Sequence, residues 1–260
     1  MVNGLKRISC CFLALLLYGG QAWGWSSETH MFIAAEAGIQ YPETACFPDL
    51  SKKENDSLLG PYHWHNAAPT TVVDVAYINK FQVKSARYVK ESSPGSQAIS
   101  IRVPHPAGVL YWEIVELYKK LGGKAGWERD YYLANLAHYV ADLSMPLHNF
   151  PYGKDPAADG QVYPDIGTWA KDNHGRFDGA LDSLLPLKPA KQKQFDALLT
   201  PLTITTMSQL QGEVAKVANK AIALANLCYS EGRAMTKDEA LAQAAMSVSL
   251  LKSIVESTEP

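Results

Sequence analysis

Three residues in one stretch, His138, Asp142 and His148, have the chemistry to hold a metal ion. In His138-Tyr-Val-Ala-Asp142-Leu-Ser-Met-Pro-Leu-His148 the first two stand four positions apart, so a helix places them on one face. Imidazole nitrogen and carboxylate oxygen are both zinc ligands. Pro146 cannot continue a helix interior, which predicts a helix end just before it and leaves His148 beyond that end. A second His/Asp pair at the same spacing, His174 and Asp178, follows. Any one of these residues alone is equally a hydrogen-bonded polar group in a buried helix. All five between 138 and 178 point to metal.

The elements that must position them read as helices. Thr29 is a candidate N-cap for a helix that closes near Gly38. Residues 42–69, rich in proline, asparagine and glycine, read as a long loop of the kind that carries function. Apolar spacing then predicts helices over 70–91, from Pro104 or Pro106 to 121, over 128–144 and over 166–185, a shorter one after Pro189, and two Ala/Leu-rich ones over 203–230 and 236–257. Almost nothing alternates as a strand does, so the expected class is all-α, a single multi-helix domain over 25–260.

The N-terminus reads as a secretory signal over residues 1–24. Lys6 and Arg7 precede an apolar run from Cys11 to Tyr18, and Ala22 and Gly24 are the small residues a signal peptidase reads. The run is too short to span a bilayer. Removing Lys6 and Arg7 with it takes the net charge from −2 to −4, which gives no electrostatic case for duplex nucleic acid. The expected product is secreted or periplasmic. Cys46 and Cys228 remain after cleavage, and an oxidising compartment leaves open whether they pair.

Nine residues are candidate ligands: Trp25, His30, Asp49, His63, His138, Asp142, His148, His174 and Asp178. With three or four ligands per zinc and no thiolate among them, the set suits a catalytic cluster of more than one ion. Its carrying motifs, in order, are Trp25-Ser-Ser-Glu28 after the signal, Thr29-His30, Pro48-Asp49, His63-Trp64, the 138–148 stretch and His174-xxx-Asp178. On these motifs the chain resembles the bacterial zinc-dependent phospholipases C and the related single-strand-specific zinc nucleases.

The resemblance implies a mostly helical fold around three zinc ions. Trp25, through its α-amino group and carbonyl, and His30 would hold one, bridged by Asp142 to a second held by His138, His63 and Asp49. His148, His174 and Asp178 would hold the third. It implies phosphodiester hydrolysis by a metal-activated water, with Asp49 either orienting or deprotonating that water or serving only as a ligand. His63 fits the family's spacing better than His65, and Asp56 is a weaker rival to Asp49. Departures run both ways. His30 stands five residues after Trp25, as in the nucleases, whereas the Trp-Ser-Ser-Glu start is that of the phospholipases, where the acid helps hold a choline headgroup. Phe177 stands where the nucleases carry tryptophan.

The expected activity is therefore a phospholipase C acting on phosphatidylcholine-like lipids at a membrane or micelle surface, as a monomer. Glu28 and Trp64 are the candidate substrate-binding residues, and Tyr62, Phe150 and Tyr152 are further aromatics for that surface. A single-strand nuclease or 3′-nucleotidase, and an exported zinc-binding protein without turnover, are the alternatives. An amine ligand at Trp25 exists only after cleavage behind Gly24. N-terminal sequencing of the exported protein should begin at Trp25, and any other start removes that ligand.

Overall fold

The computed structural model describes residues 25–54, 56–88 and 99–258. The expected signal segment, 1–24, lies outside the described residues. The order is helix α1 (Ser27–Glu36), a 3₁₀ turn (Pro42–Cys46), α2 (Phe47–Glu54), α3 (Asp56–Leu59), a 3₁₀ turn (Gly60–Tyr62) and α4 (Val75–Lys80). Strands β1 (Lys84–Tyr88) and β2 (Ile99–Val103) follow, then α5 (Leu110–Leu121), α6 (Gly126–Ser144) and a 3₁₀ turn (Pro146–Asn149). The chain continues with α7 (Pro164–Asp178), a 3₁₀ turn (Asp182–Leu184), α8 (Pro189–Asp196), α9 (Met207–Ser230) and α10 (Lys237–Ser257). The molecule is mostly helical, as the apolar spacing predicts. No helix among the described residues is long and apolar enough to cross a membrane.

Three expectations are corrected. Residues 42–59 are largely helical, because the prolines occupy first turns, where a missing N–H costs nothing: Pro42 opens one 3₁₀ turn and Pro48 sits second in α2. The expected helix over 70–91 shrinks to α4, which begins only at Asp74, whose side chain accepts from the Tyr77 N–H at 2.7 Å. Beyond it β1 and β2 pair antiparallel, with Lys84 opposite Val103. The overlooked signal was Ile99-Ser-Ile-Arg-Val103, which alternates apolar and polar residues as a strand does. The cap of α1 is Ser26, accepting from the Thr29 N–H at 3.2 Å, rather than Thr29 itself.

Helix α6 runs through the centre of one contiguous apolar cluster, burying Leu133, Leu136, Ala137, Val140, Ala141 and Leu143. Helices α5, α9 and α10 pack against it, and Ser247 of α10 donates to the Val140 carbonyl at 2.7 Å. Capping boxes fix the starts of the last two helices: Thr206 with Gln209, and Thr236 with Glu239. Small residues on α9, Ala218, Ala221 and Ala225, are wholly buried, and that helix packs against the 3₁₀ turn that carries His148. Gly108 lets the approach to α5 lie flat on the Trp64–His65 backbone. Its φ is +90° and a Cβ there would collide with the Trp64 carbonyl.

The step from α6 into the Pro146–Asn149 turn is held by Asn149. Its buried amide donates to the carbonyls of Leu143 and Met145, each at 2.9 Å. Asn149→Ala removes the side-chain donor of the Leu143 carbonyl and leaves the Met145 carbonyl only the His148 N–H at 3.1 Å, so chemical denaturation should show a loss of about 1–3 kcal/mol.

Candidate metal centre

Six of the candidate ligands converge on the inner face of α6. Both of its site residues, His138 and Asp142, are fully buried. The His138 Nδ1–H donates to the Ala45 carbonyl at 2.7 Å, which turns the Nε2 lone pair inward, as metal-binding histidines require. His30 comes from α1, Asp49 from α2, His63 from just after the Gly60–Tyr62 turn, and His148 from the Pro146–Asn149 turn.

The Asp142 carboxylate divides the histidines between its oxygens. Oδ2 faces His63 Nδ1 at 3.0 Å and His138 Nε2 at 3.1 Å. Oδ1 faces His148 Nδ1 at 3.3 Å and His30 Nε2 at 3.5 Å. The His30 and His138 rings stack at 4.0 Å. Asp49 closes the first group, its Oδ1 lying 3.6 Å from His63 Nδ1 and 3.7 Å from His138 Nε2.

Four ligand atoms gather around His63 and His138: His63 Nδ1, His138 Nε2, Asp142 Oδ2 and Asp49 Oδ1. Five of their separations run 2.9, 3.0, 3.1, 3.6 and 3.7 Å. A tetrahedral zinc with bonds of about 2.0–2.2 Å needs ligand–ligand edges of about 3.3–3.6 Å. Among the described residues, two triads bring their ligand atoms within 4.8 Å of one another: His30, Asp49 and His138, and His63, His138 and Asp142.

Electrostatics favours a cation there. Burial, with the neighbouring His138, pushes His30 down to about 3, and burial with Lys52 pushes His63 down to about 4, so both rings are neutral with lone pairs available. His138 is the exception. Burial lowers it, but Asp142 and Asp49 outweigh burial and raise it. Asp49 behaves oppositely: burial raises it, yet His138, Lys52 and His30 bring it down to about 2. Asp142 is likewise held well below the carboxylate range despite full burial, by His138 and His148. His30 Nδ1 and Nε2, His63 Nε2, His148 Nδ1, and one oxygen each of Asp49, Asp142 and Asp178 are buried without a hydrogen bond. A buried polar atom left so costs about 1–3 kcal/mol. This density of unpaired donors fits a bound metal ion, and the buried His/Asp cluster is able to hold one.

The remaining predicted residues are placed less tightly. His174 Nδ1 is hydrogen-bonded to Asp178 Oδ2 at 2.9 Å, and its ring lies 5.4 Å from that of His148. Burial pushes His174 down to about 3, and burial with the charges of Asp142 and Asp49 pushes Asp178 well up. Trp25 is fully buried, its indole donating to Ser144 Oγ at 3.3 Å. The start of α1 is stapled to the end of α7: Ser26 N–H donates to the Asp178 carbonyl at 3.3 Å, and the Ser26 and Thr29 hydroxyls both reach Asp182.

His63, not His65, faces the cluster. His65 is buried elsewhere, bonded to the Gly108 carbonyl and the Tyr77 hydroxyl at 2.9 Å each. Trp64, Tyr152, Leu147, His148, His174 and Asp56 line a cavity of about 220 Å³ beside the cluster. Glu28, expected to bind substrate, is exposed on the first turn of α1 and does not line that cavity. Phe150 is core and Tyr62 lies under Arg102, so of the four expected aromatics Trp64 and Tyr152 reach it. Cys46 and Cys228 are free thiols, not a disulfide. Sequence reasoning passed over Lys52, which is 3% exposed and pairs with Asp49 at 2.9 Å. Its i,i+3 spacing from Asp49 was the available signal. It also passed over Tyr139, whose ring packs on both His63 and His138.

Comparison with models of known protein families and with curated proteins finds no match to this chain.

Asp142→Asn keeps the shape and removes the charge that four histidines share. Metal analysis should show metal affinity down by at least about 10–100-fold, and a larger loss of bound metal than His30→Ala or His148→Ala causes, since each of those leaves the Oδ2 group intact.

Proposed function

We propose that the chain is an exported, monomeric zinc-dependent phosphodiesterase of the phospholipase C type, hydrolysing the glycerol–phosphate ester of phosphatidylcholine-like lipids. The observation that carries this reading is the buried cluster of His30, Asp49, His63, His138, Asp142 and His148, whose His148 lines a cavity together with His174, Trp64 and Tyr152. His and carboxylate ligands without thiolate favour zinc in a hydrolytic role.

On this reading His63, His138, Asp142 and Asp49 would hold one ion, Trp25 and His30 with Asp142 a second, and His148, His174 and Asp178 a third. Zinc so held would neutralise phosphoryl oxygens and make water acidic enough to attack near neutral pH. The chain's own groups do the rest. Asp49 is the member of this group with an exposed edge, 14% against at most 1% for His63, His138 and Asp142. That edge is where it would orient the attacking water. Lys52 fixes that orientation through its ion pair. Trp64 and Tyr152 offer aromatic faces on the cavity for a cationic headgroup.

The same two rings favour a second reading, a single-strand nuclease, because aromatic faces also stack bases. Purified, zinc-loaded protein offered phosphatidylcholine and single-stranded DNA in parallel should cleave the lipid alone, and chelation should abolish the activity. Cleavage of DNA alone establishes the second reading. Inactivity on both leaves a zinc-binding protein without turnover.

A further inference from the structure

Exposed large apolar side chains are gathered on this molecule rather than scattered. Of the eleven among the described residues, Tyr41, Phe47, Leu50, Trp127 and Tyr131 line one groove of about 440 Å³ between α2 and the start of α6. Leu58 lines an adjoining groove that shares Pro48, Ser51, Tyr131 and Asn135 with the first. Trp127 is 81% exposed, Tyr131 60%, and Phe47 and Leu50 54% each. Single exposed apolar residues need no explanation. A contiguous strip of them marks a surface that meets something.

Composition, charge and placement select the partner. Tryptophan and tyrosine, with an apolar body and a polar tip, are the residues of the membrane–water boundary. The linings of the two grooves carry Asp130 and Glu113 against Arg102 and Lys120, so their charges cancel. They offer an anionic surface no attraction and match a zwitterionic headgroup layer of no net charge. Placement ties the strip to the metal centre. Helix α2 directs Phe47 and Leu50 to solvent and Asp49 into the cluster. Helix α3 contributes Leu58 to the strip, while Asp56 and Ser57 line the cavity that contains His148 and His174. The short helix α3 thus joins the two, with Ser57 on the cavity and its neighbour Leu58 on the strip.

We propose that this aromatic strip docks the protein on a zwitterionic phospholipid surface and sets the cavity mouth among the headgroups. The inference deepens the phospholipase reading, but its observations are those of the strip, not of the metal centre. Docking needs no covalent step. The apolar rings enter the boundary layer and their hydroxyl and indole N–H tips stay with the headgroups.

The test is co-sedimentation of the zinc-loaded protein with vesicles of pure phosphatidylcholine, and of phosphatidylcholine mixed with phosphatidylserine. The wild type should pellet with the first and gain nothing from the added phosphatidylserine. Trp127→Ser combined with Tyr131→Ser should lower partitioning roughly tenfold or more. The same variant should keep wild-type circular dichroism and wild-type cleavage of monomeric short-chain phosphatidylcholine. Tyr41→Ser, at the far end of the groove, should weaken pelleting in the same direction. Equal pelleting of wild type and double variant overturns the proposal, as does a wild type that pellets only with the anionic mixture or with neither. A concentration-dependent dimer in sedimentation equilibrium, lost in the double variant while vesicle binding persists, reassigns the strip to self-association. Vesicle binding that depends on Trp127 without any lipid cleavage leaves docking standing and removes the phospholipase reading, so the two failures are distinct.

Discussion

A carboxylate buried in the middle of a helix governs this structure. Asp142 has no access to water, and an unpaired charge in such a place costs several kcal/mol. Its neutralisation has to come from side chains brought in by other segments. Four histidines surround it, one from α1, one from just after the Gly60–Tyr62 turn, one a helical turn back on α6, and one from the turn after α6, and of these His138 is the ring that the carboxylates raise toward its charged form. Most of the architecture within reach of α6 follows from holding those rings. The Asn149 amide locks the turn that carries His148, the Ala45 carbonyl orients His138, and Asp182 staples α1 so that His30 stays against His138.

The same arrangement sets stability against function. A chain selected for stability alone would pair these atoms with one another or replace them with apolar groups. Here the neutral His63 ring meets a neighbouring imidazole nitrogen at 2.9 Å and two carboxylates at 3.0 and 3.6 Å. A neutral ring has a single N–H and can give it to only one of these contacts, so a proton drawn onto His138 relieves only part of the repulsion among the others. A divalent cation relieves all of it at once. The cluster is therefore able to hold an ion, and on the proposed reading metal affinity would also be folding free energy.

Much of this was legible in the sequence, for physical reasons that also explain the rest. The i,i+4 spacing of His138 and Asp142 with Pro146 beyond it fixes which face they share and where the helix stops, and both hold in the structure. Helices α9 and α10, with long apolar periodicity, were legible to the residue at their ends, while the start of α9 lies four residues later than expected, where the Thr206–Gln209 capping box sets it. Where proline was read as a loop marker, over 42–59, it was opening short helices, and composition alone does not separate the two uses. The β1–β2 pair was missed because its short run has no long period to set against the helical pattern before it. Lys52 was missed because a lysine is read as a surface residue until a partner is known. Glu28 was misplaced because its role came from a resemblance at the start of the chain, whereas the Ser26 cap and its bonds to Asp182 turn that residue to solvent.

Helix α2 shows how little separates the chemistry from its surroundings. It has eight residues, too few to be stable alone, and it is held by what it touches. Inward, Asp49 meets the histidines and Lys52. Outward, Phe47 and Leu50 are each about half exposed. The helix also packs against α6, α3 and the Pro42–Cys46 turn, so its place is set by the same elements that carry His138 and Asp142. On the proposed readings, metal loading and surface docking then meet in one short element, whose inner face presents Asp49 to the cluster and whose outer face presents Phe47 and Leu50 to the strip.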